Sequence, residues 1–256
     1  MSLIGALGRP HRAGPLIRAL GLCIVAGLPP LSPAVAADLQ VSAPTAAADA
    51  RTGCLPALNA DDAGESCTVS EFGEIGAVDD HPFDYAVYQY RNGANRALDR
   101  TRVVVFEVAP AGMMRAVAAM ESDPAVSYDK PRLLRSSGRV LLHIPGSESG
   151  TGNFNRERLF VWRNGQWGDV DTTGWLDELA RRLPKGYGAW KGIYPDYVTM
   201  KASTPLWREG DGNACGSGGR ADLVLGWQAD RIVLRGIQRR KAGECGEERP
   251  RRRRSD

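Results

Sequence analysis

Between residues 85 and 237, apolar side chains recur at every second position in short runs, and turn-forming residues separate the runs at close intervals. An extended backbone sends successive side chains to opposite faces, so this spacing predicts strands with one face buried. Strands are expected at Tyr85–Tyr90, Arg102–Val108, Arg139–Ile144, Arg158–Trp162, Tyr197–Lys201, Ala221–Trp227 and Arg231–Ile237. Asn164-Gly165 lies between Trp162 and Trp167, and an Asn-Gly pair readily supplies the positive φ angles of a tight hairpin turn. Ser137-Gly138 and Ala229-Asp230 are weaker turn signals of the same kind.

One helix stands out against this background. Leu176, Leu179 and Leu183 set an apolar stripe at spacings of three and four, Thr173 is placed to cap it, Asp177 and Glu178 favour its positive end, and Pro184 stops it. The stretch Met113–Glu121 fits two readings, because its alanines suit a helix while the alternation of Met114, Ala116, Ala118 and Met120 suits a strand. The strands also recur as units. Arg139–Ile144, a Gly- and Asn-rich loop, Arg158–Trp162, a short turn and Trp167–Val170 follow the same order as Tyr197–Trp207, Gly210–Gly219, Ala221–Trp227 and Arg231–Ile237. The fold class expected is mainly β, with one or two short helices and repeated β-meander units. In layout such a unit resembles a β-propeller blade, and a β-sandwich accounts for the same hairpins.

The ends of the chain read differently from its body. Arg9, Arg12 and Arg18 precede an apolar stretch from Ala19 to Leu28, prolines at 29, 30 and 33 follow, and Ala34-Val35-Ala36 offers a small-x-small cleavage site. This is the layout of a secretory signal peptide over residues 1–36, shorter in its apolar part than a membrane span. Cys23 sits inside the apolar stretch after Leu22, which does not fit a lipoprotein signal, and no adjacent arginine pair suits twin-arginine export. An alanine-rich segment, 37–53, is expected to be a flexible leader, 54–248 a single β-rich domain, and 249–256, with Arg251–Arg254 in a row, a disordered basic tail. The net charge of +3 is therefore misleading: the first 36 residues and the C-terminal stretch carry the basic excess, and the body is mildly acidic.

Removal of the signal leaves Cys54, Cys67, Cys215 and Cys245, an even number in an oxidising compartment. Disulfides are expected, and loop entropy favours joining near neighbours, Cys54 with Cys67 and Cys215 with Cys245. A four-cysteine zinc site would usually show a C-x-x-C pair, which is lacking here, so no metal is expected.

The motifs of catalysis are incomplete. The loop from Gly146 to Asn153, just after His143, places Glu148 where a nucleophile elbow needs serine, and it lacks the Lys-Ser/Thr ending of a phosphate loop. It reads as a mobile strand connection. Of the histidines, His81 and His143 alone follow the signal. Asp169 and Asp171 fall on one side of a strand, and Asn59–Asp61 and Glu209–Asn213 alternate oxygen donors, yet neither of those two stretches completes a calcium loop. No catalytic residue and no cofactor is assigned.

All six tryptophans lie between Trp162 and Trp227, and the stretch 186–197 gathers Tyr187, Trp190, Tyr194 and Tyr197 among glycines and a proline. Large rings in such a loop suit a contact surface for a protein, peptide or glycan, or else a lid on the core. The leading expectation is a non-enzymatic, exported binding domain, periplasmic or secreted, with Tyr187, Trp190, Tyr194 and Tyr197 as contact residues. One rival is an exported hydrolase using His143 with Ser147, Glu148 or Asp169. Another is an envelope-associated structural protein held to an anionic surface by its basic tail. An exported address makes nucleic acid the poorest partner, and none is expected.

Overall fold

A computed structural model of the chain describes residues 45–53, 65–92, 99–122 and 125–241. The segment expected to be a signal peptide, most of the expected leader, Cys54, Cys245 and the basic C-terminal stretch lie outside the described residues. The fold is mainly β, built on antiparallel strand pairs.

Strands β1 (Thr45–Ala46), β2 (Glu65–Val78), β3 (His81–Asn92), β4 (Arg100–Ala109) and β5 (Met113–Ser122) form the first sheet, in the order β1-β5-β4-β3-β2. Helix α1 (Ala47–Thr52) follows β1. The leader expected over 37–53 thus gains structure in its last residues. Its small side chains let the backbone approach an aromatic face: Ala50 is fully buried, and its carbonyl accepts the Tyr88 hydroxyl at 3.2 Å. Met113–Glu121 is strand, not helix. A bulge falls between the Val105–Ala118 and Phe106–Ala116 pairs, leaving Val117 without a partner across the ladder. The extra residue reverses side-chain parity. Met114 and Ala116 pack with Tyr88 and Phe106 on one face, while Ala118 and Met120 pack with Phe83 and Tyr85 on the other.

The second sheet contains β7 (Arg132–Ser136), β8 (Arg139–Ile144), β10 (Arg158–Arg163) and β11 (Gln166–Asp169), in the order β11-β10-β8-β7. A short pair, β6 (Val126–Tyr128) with β9 (Gly146–Glu148), lies against β4 and β5 of the first sheet through β6. The Asn164-Gly165 turn joins β10 to β11 with φ of 50° and 76°, the conformation its sequence predicts. Helix α2 (Gly174–Arg182) follows. Thr173 holds the N-cap position but makes no capping bond with its side chain. Asp171 Oδ1 instead accepts the N–H groups of Thr173 and Gly174, at 2.9 and 3.0 Å.

The third sheet, β12 (Tyr187–Gly188), β13 (Lys201–Arg208), β14 (Gly219–Gln228) and β15 (Arg231–Arg240), is a meander in chain order. The strand expected at Tyr197–Lys201 is absent. Asp196 Oδ1 accepts the N–H groups of Val198 and Thr199, which folds that stretch into turns, and Met200 takes φ of 55° before β13 begins.

The second sheet is buried on both faces, and its alternation decides which core each side chain joins. Leu142, Ile144 and Phe160 meet the first sheet's Phe83, Tyr85 and Val103. Leu141, Leu159 and Val161 point the other way, to Trp175 and Leu179 of α2 and Leu206, Leu223 and Ile232 of the third sheet. Each such aliphatic side chain contributes about 1.5–3 kcal/mol by leaving water.

Candidate functional site

Two polar residues continue the inward row of the second sheet. His143 follows Leu141 by two positions on β8, and Glu157 precedes Leu159 by two just before β10. Both therefore face the α2 side, where the core ends and polar groups must find partners. They find each other. His143 Nε2 and Glu157 Oε2 are 2.9 Å apart, with side chains only 4% and 6% exposed. Arg132 on β7, opposite His143 in the ladder, donates from Nε to His143 Nδ1 at 3.3 Å. A guanidinium has only donors, so Nδ1 accepts and Nε2 carries the proton given to Glu157.

Glu157 has further partners. Tyr197, 1% exposed, donates its hydroxyl to Oε1 at 2.8 Å, and its ring meets the His143 ring edge to face at 5.2 Å. Burial, then the neighbouring Glu157 charge, pushes the Tyr197 hydroxyl far above the ordinary phenol range. Asn155 Nδ2 reaches Glu157 Oε1 at 3.3 Å. Its amide also binds the backbone of Ile193 both ways, Nδ2 donating to the carbonyl at 2.5 Å and Oδ1 accepting the N–H at 2.7 Å.

That clamp holds two loops together. Gly192 donates its N–H to the Gly152 carbonyl at 2.8 Å, and the Tyr194 hydroxyl donates to the Asn153 carbonyl at 2.5 Å. The glycine-rich connection read from sequence as mobile is thus tied to the aromatic loop at several points. Gly192 is required there, because a Cβ would collide with the Asn153 carbonyl oxygen.

Between α2 and this loop lies a pocket of about 300 Å³. Trp175, Leu176, Leu179 and Leu183 form one wall, Tyr187, Ala189 and Ile193 the other, and Asn155 and Glu157 add polar groups. Lys191 also borders it, with Nζ 5.6 Å from the centre of the Trp207 ring. On the His143 side of the pair a second hollow, of about 350 Å³, is lined by Arg132, Asp196, Tyr197 and Val198.

The four aromatic residues picked out in the sequence have different surroundings. Tyr187 borders the first pocket and pairs with Arg208 through β12 and β13. Trp190 is 37% exposed and stacks on buried Trp207, ring centres 5.8 Å apart and planes 15° from parallel. Tyr194 is 47% exposed. Tyr197 turns inward to Glu157, so it shares no exposed surface with the others.

The groups considered with His143 have partners of their own. Glu148 is bound by Arg156, Asp169 by Arg158, and Ser147 Oγ lies 3.4 Å from Ser127 Oγ. None of the three bonds to His143. The carboxylate that does is Glu157, which the sequence reading passed over. Its signal was the period-two row Glu157, Leu159, Val161 continued one step back. Cys67 lies on β2 opposite Tyr90, and Cys215 in the turn before β14.

No protein-family model and no curated protein matches this chain.

Proposed function

We propose that this chain is an exported, non-enzymatic binding domain whose ligand occupies the pocket between α2 and the aromatic loop. The observation that carries this reading is the pocket itself: apolar walls enclose about 300 Å³, with a few fixed polar groups at its border. This is the make-up of small-ligand sites, at the lower end of their size range. It suits a small molecule, or a single side chain or sugar substituent presented by a protein, peptide or glycan. The clamp by Asn155 supports the same reading, since it holds the loop in place without a ligand and lowers the ordering cost of binding.

Export rests on the basic and apolar segments before Ala36 and on the four cysteines that follow. The cysteine pairs proposed are Cys54–Cys67 and Cys215–Cys245.

Hexan-1-ol, small, largely apolar and uncharged, tests the pocket. In a two-dimensional NMR titration it should shift the Trp175 indole and Leu179 methyl signals saturably. Ala180, exposed on α2 at the pocket border, allows a filling variant, and Ala180→Phe should abolish the shifts. Unsaturable shifts, or shifts unchanged in Ala180→Phe, would refute the assignment.

A further inference from the structure

Glu157 is the single carboxylate bordering the pocket among the described residues, and its bonding is unfinished. A carboxylate offers about four lone-pair sites. Among the described residues, Oε1 takes Tyr197 and Asn155, while Oε2 takes His143 alone. One site on Oε2 therefore remains, on a side chain that borders the pocket yet is almost hidden from water.

The charge is also incompletely matched. No lysine or arginine among the described residues forms an ion pair with Glu157, and Arg132 reaches only the far nitrogen of His143. The negative charge extends toward the loop, since after burial it is the next cause lifting the Tyr194 hydroxyl. Lys191, the one cation bordering the pocket among the described residues, has its Nζ over the Trp207 ring. A buried acceptor with a spare lone pair, beside apolar walls, is complementary to a donor that brings positive charge.

We propose that the ligand is amphipathic, with an apolar body lying against Leu176 and Leu179 and a protonated primary amine received by the Glu157 carboxylate. The inference rests on the reading of this pocket as the ligand site. Glu157 binds and orients the amine, and no covalent step is involved.

The test compares hexylamine, hexan-1-ol and hexanoate, three six-carbon ligands that differ in head group, by NMR titration of the wild-type chain at neutral pH. The amine should bind about ten-fold or more tighter than the alcohol, the scale of one charge-assisted hydrogen bond, with hexanoate weakest. Glu157→Gln should reduce the amine's advantage to less than about three-fold, and Ala180→Phe should remove all binding. Equal binding of amine and alcohol would overturn the amine assignment and leave the pocket standing. A folded Glu157→Gln protein that keeps the preference would overturn it too. If none of the three ligands shifts the pocket signals, both readings fall. The wild-type ranking decides the matter if Glu157→Gln does not fold.

Discussion

Glu157 and Tyr197, forty positions apart in the chain, are joined by a 2.8 Å hydrogen bond between buried side chains. With His143 on the other carboxylate oxygen, this bond ties the second sheet to the loop that walls the pocket. Tyr197→Phe keeps the ring and deletes the donor, so it should cost about 1–2 kcal/mol. Glu157→Ala leaves three buried or half-buried donors without their acceptor and should cost about 3–5 kcal/mol, at about 1–3 kcal/mol for each donor left unsatisfied. Denaturant unfolding of both single variants and the double variant checks this. Groups of one network should show a coupling of about 0.5 kcal/mol or more. Strict additivity would mean that the bond does not persist in solution.

Asp171 gives α2 an acid-sensitive start. Partial burial raises its carboxyl, but the N–H groups of Thr173 and Gly174 and the Thr173 hydroxyl together outweigh that and hold it below its usual range. A depressed folded value means the stabilisation is complete above the ordinary carboxylate range and disappears as pH falls through the folded value. Asp171→Ala should therefore cost about 1 kcal/mol near neutral pH. The gap from wild type should narrow below about pH 4. Thermal melts from about pH 2 to about pH 7, a span that covers carboxylate titration, measure it. A gap that does not change with pH would contradict the capping role.

At Gly192 the two loops meet backbone to backbone, its N–H donating to the Gly152 carbonyl at 2.8 Å. Gly192→Ala forces its Cβ onto the Asn153 carbonyl, so the loop must move off the 152–155 backbone. Limited proteolysis should then cleave between Gly186 and Tyr197 at least about ten-fold faster than in wild type, as local opening becomes easier. Unchanged cleavage would show that the clamp is not what fixes the loop.

The sequence was most legible where one rule acted alone. Arg139–Ile144 coincides with β8, and Asn164-Gly165 makes the turn its residue types demand. It was least legible where bulges break the period. In β2, Gly73 and Gly76 sit among Glu71 and Glu74, and register shifts at Val69/Glu71 and Glu74/Gly76 disrupt the alternation that would mark a strand. Tyr197–Lys201 looked extended because its apolar residues alternate, yet two bonds from Asp196 bend it. At the site, His143 stands out as a residue type, but its partner lies fourteen positions further along the chain. Pairing across a sheet depends on register, which composition does not carry.

The proposed cysteine pairs give a covalent check on export. Peptide mapping of non-reduced protein recovered from an oxidising compartment should link Cys54 to Cys67 and Cys215 to Cys245. Reduction should then destabilise the fold by up to about 3 kcal/mol per bridge. Free thiols, or peptides linking the two halves of the chain, would contradict the pairing.

Contact between ligand and protein protons tests the pocket most directly. With saturating hexylamine, intermolecular nuclear Overhauser effects should connect the alkyl chain to methyl groups of Leu176, Leu179 and Ile193, the apolar walls on both sides. Contacts confined to the exposed rings of Trp190 and Tyr194, or to the outer face of the third sheet, would contradict it.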